Sequence, residues 1–580
     1  MVWTPVRTLE ETEAILCAPG HLHEVETVFL DGRPQRIYKN LWPSMRSLWL
    51  SSVKKYRHKI YLVSGDRRYT YNEVHQRDRV GICSRNNPEY LISFWASHLL
   101  GAVPVLTNAW LPLEPLRHCL SHTGCKLILL DPERADRLAP AVFDLLRDTP
   151  ATGFLVFDDQ DNTEHGWQGM SSFYSALENY HGGTADVLAV DPQIMPEDNA
   201  TIMFTSGTTG FPKGVLSTQR QFLSNIPNVM VGSMRASLRK GEDYSVFDKD
   251  EEPQKGILVA VPLFHVTGTT SFSMMATATG MKIVLASKWI VEDAVRLIKQ
   301  ENVRVAGGVP AMVADLTESS LAGHSLDGLL FGGSPAPDSL VPRARAAFPT
   351  AVMIQGYGLT ETNSIAVSFA GEDYTVRPTS TGRASPVNEI KIVHNGLVMS
   401  PGNVGEVWLR GPNVMKCYWC EPVATEKVIT LDGWLKTGDL GFLDEEGFLY
   451  IKDRLKDIII RGGENIDSVS VENALYRDSR ILEAAAVGVP DDRLGELVAA
   501  VVSVKSAYRG SVTEASLIRL AKKYLPRFAV PVMIVVFNEP LEHTPSGKII
   551  KGELRQIARQ HWEARRRNGT ARAREPLANL

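Results

Sequence analysis

The ten residues from Thr205 to Gly214 constrain this chain more than any other segment. They hold three glycines, four hydroxyl side chains and one lysine, and they follow the apolar run from Ala200 to Phe204. Glycines let backbone N–H groups turn toward an anion, hydroxyls add donors and lysine adds a positive charge. A strand followed by such a loop predicts a phosphate site with these candidate residues: Thr205, Ser206, Gly207, Thr208, Thr209, Gly210 and Lys213.

The loop differs from a P-loop, because Lys213 is followed by Gly214 rather than by serine or threonine. The same composition also describes a surface turn, so the segment alone leaves both interpretations open.

Chain length and the pattern of apolar residues predict a layered α/β protein with more than one domain. The 580 residues exceed the roughly 250–300 that one hydrophobic core usually holds. Short β-branched runs alternate with helix-compatible stretches, which is typical of α/β layers. The predicted strands are 126–130, 153–157, 256–262 and 282–285, and a predicted helix is 291–300. From about Gly402 the short strands and glycine-rich turns predict a β-rich subdomain, including strands at 405–410 and 447–451.

The last part of the chain is predicted to be a small α+β unit. Its predicted elements are helices at 470–476 and 513–524 and strands at 481–489 and 498–504.

Composition argues against several classes of protein. A net charge of -4 and a pI near 6.4 give no reason to expect nucleic-acid binding. No run approaches eighteen uninterrupted apolar residues, so we expect no transmembrane segment. The N-terminal residues lack a basic region followed by an apolar core, which favours the cytoplasm. The final residues, Ala578-Asn579-Leu580, loosely match the tripeptide Ser-Lys-Leu and leave peroxisomal import open.

Four further motifs follow the glycine-rich loop. They are QGYGLTET at 355–362, GWLKTGD at 433–439, DRLKDIIIRGGE at 453–464 and TPSGK at 544–548. Together with the loop they resemble the adenylate-forming superfamily of acyl-CoA synthetases, 4-coumarate–CoA ligases, luciferases and peptide-synthetase adenylation domains. The resemblance extends from about Tyr69 to about Lys551 and implies two reactions. A carboxylate attacks the α-phosphate of ATP and releases pyrophosphate, and a thiol then displaces AMP.

The resemblance also implies which residues hold the nucleotide. The loop from Thr205 to Lys213 would grip the β- and γ-phosphates, and Glu361 would bind Mg²⁺. Thr360 would contact the α-phosphate, and Tyr357 would stack on adenine beside the neighbouring backbone. Asp439 would accept both ribose hydroxyls, and Arg454 would contact the ribose or a phosphate. The segment lining the nucleotide comprises Gln355, Gly356, Tyr357, Gly358, Leu359 and Thr360.

The resemblance implies that Lys548 carries the first reaction, because the lysine at this position of the family bridges the carboxylate and the α-phosphate. A rotation about a hinge that maps to Lys456 would then withdraw this lysine and present Arg461, Gly462 and Gly463, where the glycines would let the thiol of coenzyme A approach. We therefore predict an N-terminal domain at 1–455 and a small mobile C-terminal domain with a basic tail at 456–580.

His265 matches a family position that gates the acyl pocket, although a histidine among apolar residues is often only a packed core residue. The segment from Phe264 to Ser273 contains no acidic residue that could pair with an α-ammonium group. We therefore expect a carboxylic acid without an α-amino group, either fatty or aryl. The expected pocket comprises 266–276, 306–312 and 331–335, with residues near Gln355 and Ile365.

The favoured interpretation is an AMP-forming acyl-CoA ligase that uses ATP, Mg²⁺ and coenzyme A. The alternative is an adenylyltransferase that loads a separate carrier protein. A binding-only homologue is a third interpretation, against which the intact motif residues argue. A luciferase-like oxygenase would share the adenylate step, but no motif points to oxygen chemistry.

One segment departs from the family pattern. Only His75, Gln76 and Arg77 stand between Val74 and Asp78, where the family usually has a helix and a loop of some twenty residues. Either other segments cover the apolar surface left there, or the N-terminal fold is impaired.

Overall fold

Two large mixed sheets form the N-terminal part of the chain. The computed structural model describes residues 3–75, 81–157, 166–181, 189–205, 211–243, 253–334, 336–544 and 547–568. Within these residues one sheet has the strand order Cys417–Tyr418, Gly214–Thr218, Asn199–Phe204, Val105–Leu106, Gly81–Cys83, Leu127–Leu130, Gly153–Val156 and Ser171–Ser172. The other has the order Arg383–Ala384, Ser364–Ala370, Val352–Leu359, Gly328–Gly332, Val303–Gly308, Gly256–Val259, Lys282–Leu285, Ile60–Ser64 and Arg67–Thr70. Their central strands are parallel and largely buried, as expected of sheets with helices on both faces.

A helix from Pro88 to Leu99 joins the two sheets. It begins at Asn87, whose side chain accepts a hydrogen bond from the Tyr90 N–H, and proline occupies its first turn. Every residue of this helix is buried, because it packs against strands of both sheets. The core of the N-terminal part therefore lies between the sheets.

The remaining N-terminal helices pack against the two sheets or against one another. They are Leu9–Leu16, Met45–Tyr56, Tyr71–His75, Leu113–Thr123, Pro132–Leu138, Val142–Asp148, Phe173–Glu178, Gln219–Leu223, Asn225–Arg239, Met274–Thr279, Val291–Gln300, Pro310–Glu318, Leu340–Ala347, Gly371–Val376 and Pro422–Val428. A β-hairpin, Val25–Leu30 with Arg33–Tyr38, lies between the first two of these helices along the chain. A π-helix at Thr267–Ser273 leads directly into the helix at Met274–Thr279.

The β-rich subdomain is a mostly antiparallel sheet. Its strand order is Leu397–Val398, Glu389–His394, Gly405–Arg410, Leu435–Leu443 and Leu449–Arg454. The C-terminal unit, from Ile459 to Arg567, follows it. A long hairpin of Ile481–Asp491 with Gly495–Val504 forms the centre of this unit. Both Met533–Phe537 and Ile459–Arg461 pair with Gly495–Val504, and Glu464–Ile466 pairs with Ile459–Arg461. Its helices are Ser468–Tyr476, Glu514–Ala521 and Lys551–Arg567.

The predicted α/β architecture, its β-rich subdomain and the final α+β unit are confirmed. The helix at Val291–Gln300 has the predicted bounds, with Glu292 and Asp293 in the first turn and Lys299 in the last, as the helix dipole favours. The predicted strand at 256–262 is shorter and ends at Val259. The predicted helix at 513–524 ends at Ala521, shortly before Pro526. The domain boundary at 455 stays a prediction.

The short segment after Val74 falls partly outside the described residues, which resume at Gly81. The side chains that border it are buried: Tyr71, Val74 and Ile82 are each at most 1% exposed. The ring of Phe173 packs edge-on against Phe157, 5.1 Å between centroids, within the same core cluster. This packing favours the first of the two alternatives, in which other segments cover the apolar surface. None of the helices in the described ranges has the length and apolarity needed to cross a bilayer.

Candidate active site

A cavity of about 1970 Å³ opens where the carboxyl ends of the nine-strand sheet face the β-rich subdomain and the C-terminal unit. Strands that end at Gly308, Gly332 and Leu359 contribute their last residues to its wall, which is where ligands bind in open α/β sheets. The predicted site residues in its lining are His265, Thr205, Gln355, Gly356, Tyr357, Gly358, Leu359, Thr360, Glu361, Asp439, Arg454 and Lys548. An ion pair between Lys505 and Glu318, at 2.7 Å, connects the C-terminal unit to the opposite rim.

Asp439 lies at the centre of one polar cluster. Its Oδ2 accepts a 2.7 Å hydrogen bond from the Tyr357 hydroxyl, and its Oδ1 lies 3.1 Å from the Arg454 Nε. The Asp439 side chain is 5% exposed whereas Arg454 is 44% exposed, so the carboxylate is fixed and the guanidinium reaches into the cavity. Burial and the Asp439 carboxylate raise the pKa of Tyr357 well above its usual range, which keeps this hydroxyl a donor.

Glu361 belongs to a second cluster. Its Oε1 accepts a 2.6 Å hydrogen bond from the Tyr418 hydroxyl, and the Lys213 Nζ lies 5.1 Å from the centroid of the Tyr418 ring. Tyr418 is in contact with both groups because its short strand pairs with Gly214–Thr218 and because the Met415 N–H donates to the Glu361 carbonyl. Burial, together with Glu361, raises the pKa of Tyr418 above its usual range.

The sequence reasoning missed Tyr418. It lies about two hundred residues from the glycine-rich loop, and no spacing pattern connects the two. Lys213 itself is exposed, and its N–H lies 3.4 Å from the Thr205 hydroxyl. Ser206, Gly207, Thr208, Thr209 and Gly210 lie outside the described residues.

The segment Gln355–Thr360 has the tight backbone that its glycines predict. A Cβ on Gly358 would lie 1.5 Å from the Ser364 carbonyl oxygen, so no other residue fits there without movement. Gln355 is 4% exposed, and its Oε1 accepts a hydrogen bond from the Tyr374 hydroxyl at 3.3 Å. Thr360 and Glu361 belong to a single 3₁₀ turn that follows the strand.

Lys548 enters the cavity from the C-terminal unit. The Lys548 chain passes beside Gly333, where a Cβ would lie 3.7 Å from the Lys548 Cε. Burial and, next, the Arg454 charge lower the pKa of Lys548 to about 8, while Asp439 and Glu361 act in the opposite direction. The charges of both polar clusters therefore act on the Lys548 ammonium group.

His265 lies on the same cavity wall. Burial, with a contribution from Lys548, lowers its pKa to about 3, so the imidazole is neutral near pH 7. Its Nδ1 lies 3.4 Å from the Thr267 N–H and 3.2 Å from the Thr267 hydroxyl, which favours the tautomer with the proton on Nε2.

Arg461, Gly462 and Gly463 lie elsewhere, at the turn between two short strands of the C-terminal unit. Both glycines have positive φ, 59° and 92°, and the Gly462 N–H donates to the Leu494 carbonyl at 2.7 Å. These residues are separate from the lining of the cavity.

Comparison with known proteins identifies the fold. The sequence pattern of AMP-binding enzymes matches residues 50–419, and the pattern of the AMP-binding enzyme C-terminal domain matches residues 470–548. The chain belongs to the AMP-binding enzyme family. The predicted large N-terminal domain and small C-terminal domain of this family are thereby confirmed.

Relatives of this AMP-binding enzyme are acid–CoA ligases. A long-chain-fatty-acid–CoA ligase of Mycobacterium tuberculosis is 30% identical over 83% of this chain and 88% of the relative. An indoleacetate–CoA ligase of Aromatoleum aromaticum is 33% identical over 83% of this chain and 89% of the relative. The structure of O-succinylbenzoate coenzyme A synthetase from Bacillus subtilis, in complex with ATP and magnesium ion, is 28% identical and covers 88% of this chain and 99% of that chain, with a TM-score of 0.69. The chain is thus placed among the AMP-forming acid–thiol ligases, while these relatives are named for different acids.

The residues fit Mg²⁺ bound together with a nucleotide. Within the described ranges, no group of three or more histidine, cysteine or acidic side chains could hold a metal ion by itself. Mg²⁺ commonly takes one or two carboxylates, substrate phosphates and waters, and Glu361 supplies such a carboxylate at the cavity wall.

Proposed function

We propose that this AMP-binding enzyme is an ATP-dependent acyl-CoA ligase that joins a carboxylic acid without an α-amino group to coenzyme A. The observation that carries the proposal is that Asp439, Glu361 and Lys548 line one cavity, although three different parts of the fold supply them. A diol-binding carboxylate, a metal-binding carboxylate and a mobile cation are what the transfer of an adenylyl group requires.

Asp439 would bind the ribose. The Tyr357 and Arg454 contacts fix the orientation of its carboxylate, and ribose hydroxyls can donate to the lone pairs that these contacts leave. Arg454 is exposed enough to turn toward a ribose or phosphate oxygen. The Tyr357 ring and the backbone from Gln355 to Gly358 would hold the adenine.

Glu361, Thr360 and Lys213 would hold the phosphates. Glu361 would hold Mg²⁺ beside the phosphates, and the ion would supply positive charge that offsets theirs. The Tyr418 hydroxyl holds the Glu361 carboxylate in one orientation, so that less ordering remains when the metal binds. Lys213 and the loop that begins at Thr205 would contact the β- and γ-phosphates.

Lys548 would join the two reactants. Its ammonium group would pair with both the substrate carboxylate and the α-phosphate, which offsets their mutual repulsion as the carboxylate oxygen attacks phosphorus. Pyrophosphate leaves, and the products at this stage are pyrophosphate and the acyl-adenylate. We infer that the C-terminal unit then rotates near Lys456 so that Arg461, Gly462 and Gly463 face the cavity for attack by the thiol of coenzyme A.

His265 and the π-helix behind it would border the acyl group. The neutral imidazole adds no charge beside the carboxylate, and the residues from Phe264 to Ser273 carry no acidic group. An α-ammonium group would lack a partner on this wall, which supports a fatty or aryl acid.

Release of pyrophosphate across a panel of fatty, aryl and amino acids tests the proposal. We expect Mg²⁺- and ATP-dependent release with acids that lack an α-amino group, and thioester formation when free coenzyme A is added. Release without a coenzyme A thioester, but with transfer to a carrier protein, would replace the ligase by an adenylyltransferase. Release only with α-amino acids would contradict the substrate assignment.

A further inference from the structure

A relay of hydrogen-bonding groups crosses one wall of the cavity. The Asn225 amide nitrogen donates to the Thr270 carbonyl at 2.8 Å and lies 3.5 Å from the Ser271 hydroxyl. The Ser271 hydroxyl in turn donates to the Ser364 hydroxyl oxygen at 2.8 Å. Both serines line the cavity and both are at most 5% exposed.

The relay ends with an unused donor. The Ser364 hydroxyl oxygen accepts a hydrogen bond from Ser271, and among the described residues no group accepts a hydrogen bond from the Ser364 hydroxyl. A hydroxyl that already accepts one hydrogen bond can still donate its own proton. The donor is therefore available to a ligand in the cavity.

The backbone at Ser364 indicates that its position is imposed by the fold. Its φ is 92°, a left-handed conformation that a residue with a Cβ rarely adopts, and Asn363 before it has a φ of 51°. The Thr362 hydroxyl and the Asn225 amide oxygen hold the next backbone groups, the Ser364 carbonyl and the Ile365 N–H. Such conformations persist where the surroundings fix them, and they are frequent at ligand sites.

A second serine on the same strand provides independent evidence. Ser368 also lines the cavity and is 2% exposed, and its hydroxyl oxygen has no hydrogen-bond partner among the described residues. A buried hydroxyl without a partner is costly unless a ligand or water supplies one. The neighbouring wall residues Val229, Phe272 and Ile365 are apolar, so the serines are polar points within a largely apolar surface.

We propose that the acid activated by this enzyme carries an oxygen atom on its tail, as a hydroxyl, ether or oxo group, and that Ser364 selects it by donating a hydrogen bond. This inference rests on the proposed function and narrows its substrate class. A tail with only carbon and hydrogen would leave the Ser364 hydroxyl proton without an acceptor and the Ser368 hydroxyl without a partner. A site built to pair a polar group discriminates against the analogue that lacks it.

The test compares acids that differ only in a tail oxygen. The probes are phenylpropanoic acid with its para-hydroxy and para-methoxy derivatives, and octanoic acid with its terminal-hydroxy derivative. The value of kcat/KM for pyrophosphate release is measured for the wild type, Ser364→Ala and Ser364→Gly. Glycine is unstrained at a φ of 92°, so it separates loss of the hydroxyl from any effect of the backbone. Ser97→Ala is the matched control, because this buried hydroxyl donates to the Ser93 carbonyl at 2.8 Å within the helix Pro88–Leu99, outside the cavity lining.

We expect the wild type to favour the oxygenated member of at least one pair by about five- to tenfold, the effect of one neutral hydrogen bond. Both Ser364 variants should reduce this ratio to about one, and Ser97→Ala should keep it. A wild-type ratio near one, or a ratio that survives both Ser364 variants, would overturn the inference and leave the ligase function intact. Failure of every acid, oxygenated or plain, to release pyrophosphate would instead refute the proposed function and the inference with it.

Discussion

Replacing Tyr418 with phenylalanine should weaken the response of the enzyme to Mg²⁺. The change removes only the hydroxyl that donates to Glu361 at 2.6 Å, and it keeps the ring beneath Lys213. Because Tyr418 is 7% exposed, water has little access to replace the lost donor. Glu361 would then lose the contact that orients its carboxylate.

The structure sets the size of the effect. A hydrogen bond to a charged group contributes about 1.5–3 kcal/mol, and loss of a group that orients a metal ligand typically costs about 10- to 100-fold in metal affinity. We expect the Mg²⁺ concentration for half-maximal activity to rise about tenfold or more. Tyr418→Leu removes the ring as well, and should weaken ATP binding further because a cation–π contact contributes about 0.5–2 kcal/mol.

Two assays separate these effects. Mg²⁺ titrations of pyrophosphate release report on the metal, and calorimetric titration of ATP at saturating Mg²⁺ reports on nucleotide affinity. Thermal unfolding of each variant controls for stability. The reasoning would be refuted if Tyr418→Phe had the wild-type Mg²⁺ dependence, or if it weakened ATP binding as much as Tyr418→Leu does.

Three further outcomes follow from the site. Lys548→Ala should lower acid-dependent pyrophosphate release at least about 100-fold, yet largely keep thioester formation from a supplied acyl-adenylate; equal loss of both would contradict the division of roles. Because the pKa of Lys548 is lowered to about 8, its charge is lost as the pH rises through that value. The kcat/KM for ATP in the first reaction should therefore fall up to tenfold per pH unit above about 8, and Lys548→Arg should remove this fall. A wild-type kcat/KM that does not change with pH in this range would contradict a role for the Lys548 charge. Gly358→Ala places a Cβ 1.5 Å from the Ser364 carbonyl oxygen and should lower the free energy of unfolding by about 3 kcal/mol in urea titrations. Gly552→Ala, where no atom lies within 4 Å, should change it little, and equal values for the two variants would argue against a tight backbone.

The sequence was sufficient for the regular elements. The helix from Val291 to Gln300 has apolar residues at helical spacing with acidic residues first and a basic residue last. The strand from Lys282 to Leu285 consists of one lysine followed by three apolar residues. Local patterns predict such segments because one face or both faces must be buried. Termini were less exact, since the strand that begins at Gly256 stops three residues before Pro262.

Local sequence patterns could not predict the contacts between segments that are distant in the chain. That Asp439 and Lys548 belong to one site was predicted from the resemblance of their motifs to a family. The spacing between the two residues predicts nothing of the kind. Nothing in the sequence joins Tyr418 to Glu361, because their contact depends on a strand pairing with Gly214–Thr218. The π-helix that carries Ser271, and the left-handed backbone that brings Ser364 to it, likewise depend on packing against the helix from Asn225 to Arg239.

The account depends on direct attack by a substrate carboxylate at the α-phosphate of ATP. Incubation with a carboxylic acid labelled with oxygen-18 in its carboxyl group, followed by mass spectrometry of the products, tests that step most directly. The account predicts that AMP gains one labelled oxygen from the acid once the acyl group has been transferred to coenzyme A, while pyrophosphate stays unlabelled. Label in inorganic phosphate together with formation of ADP, or AMP without label, would contradict it.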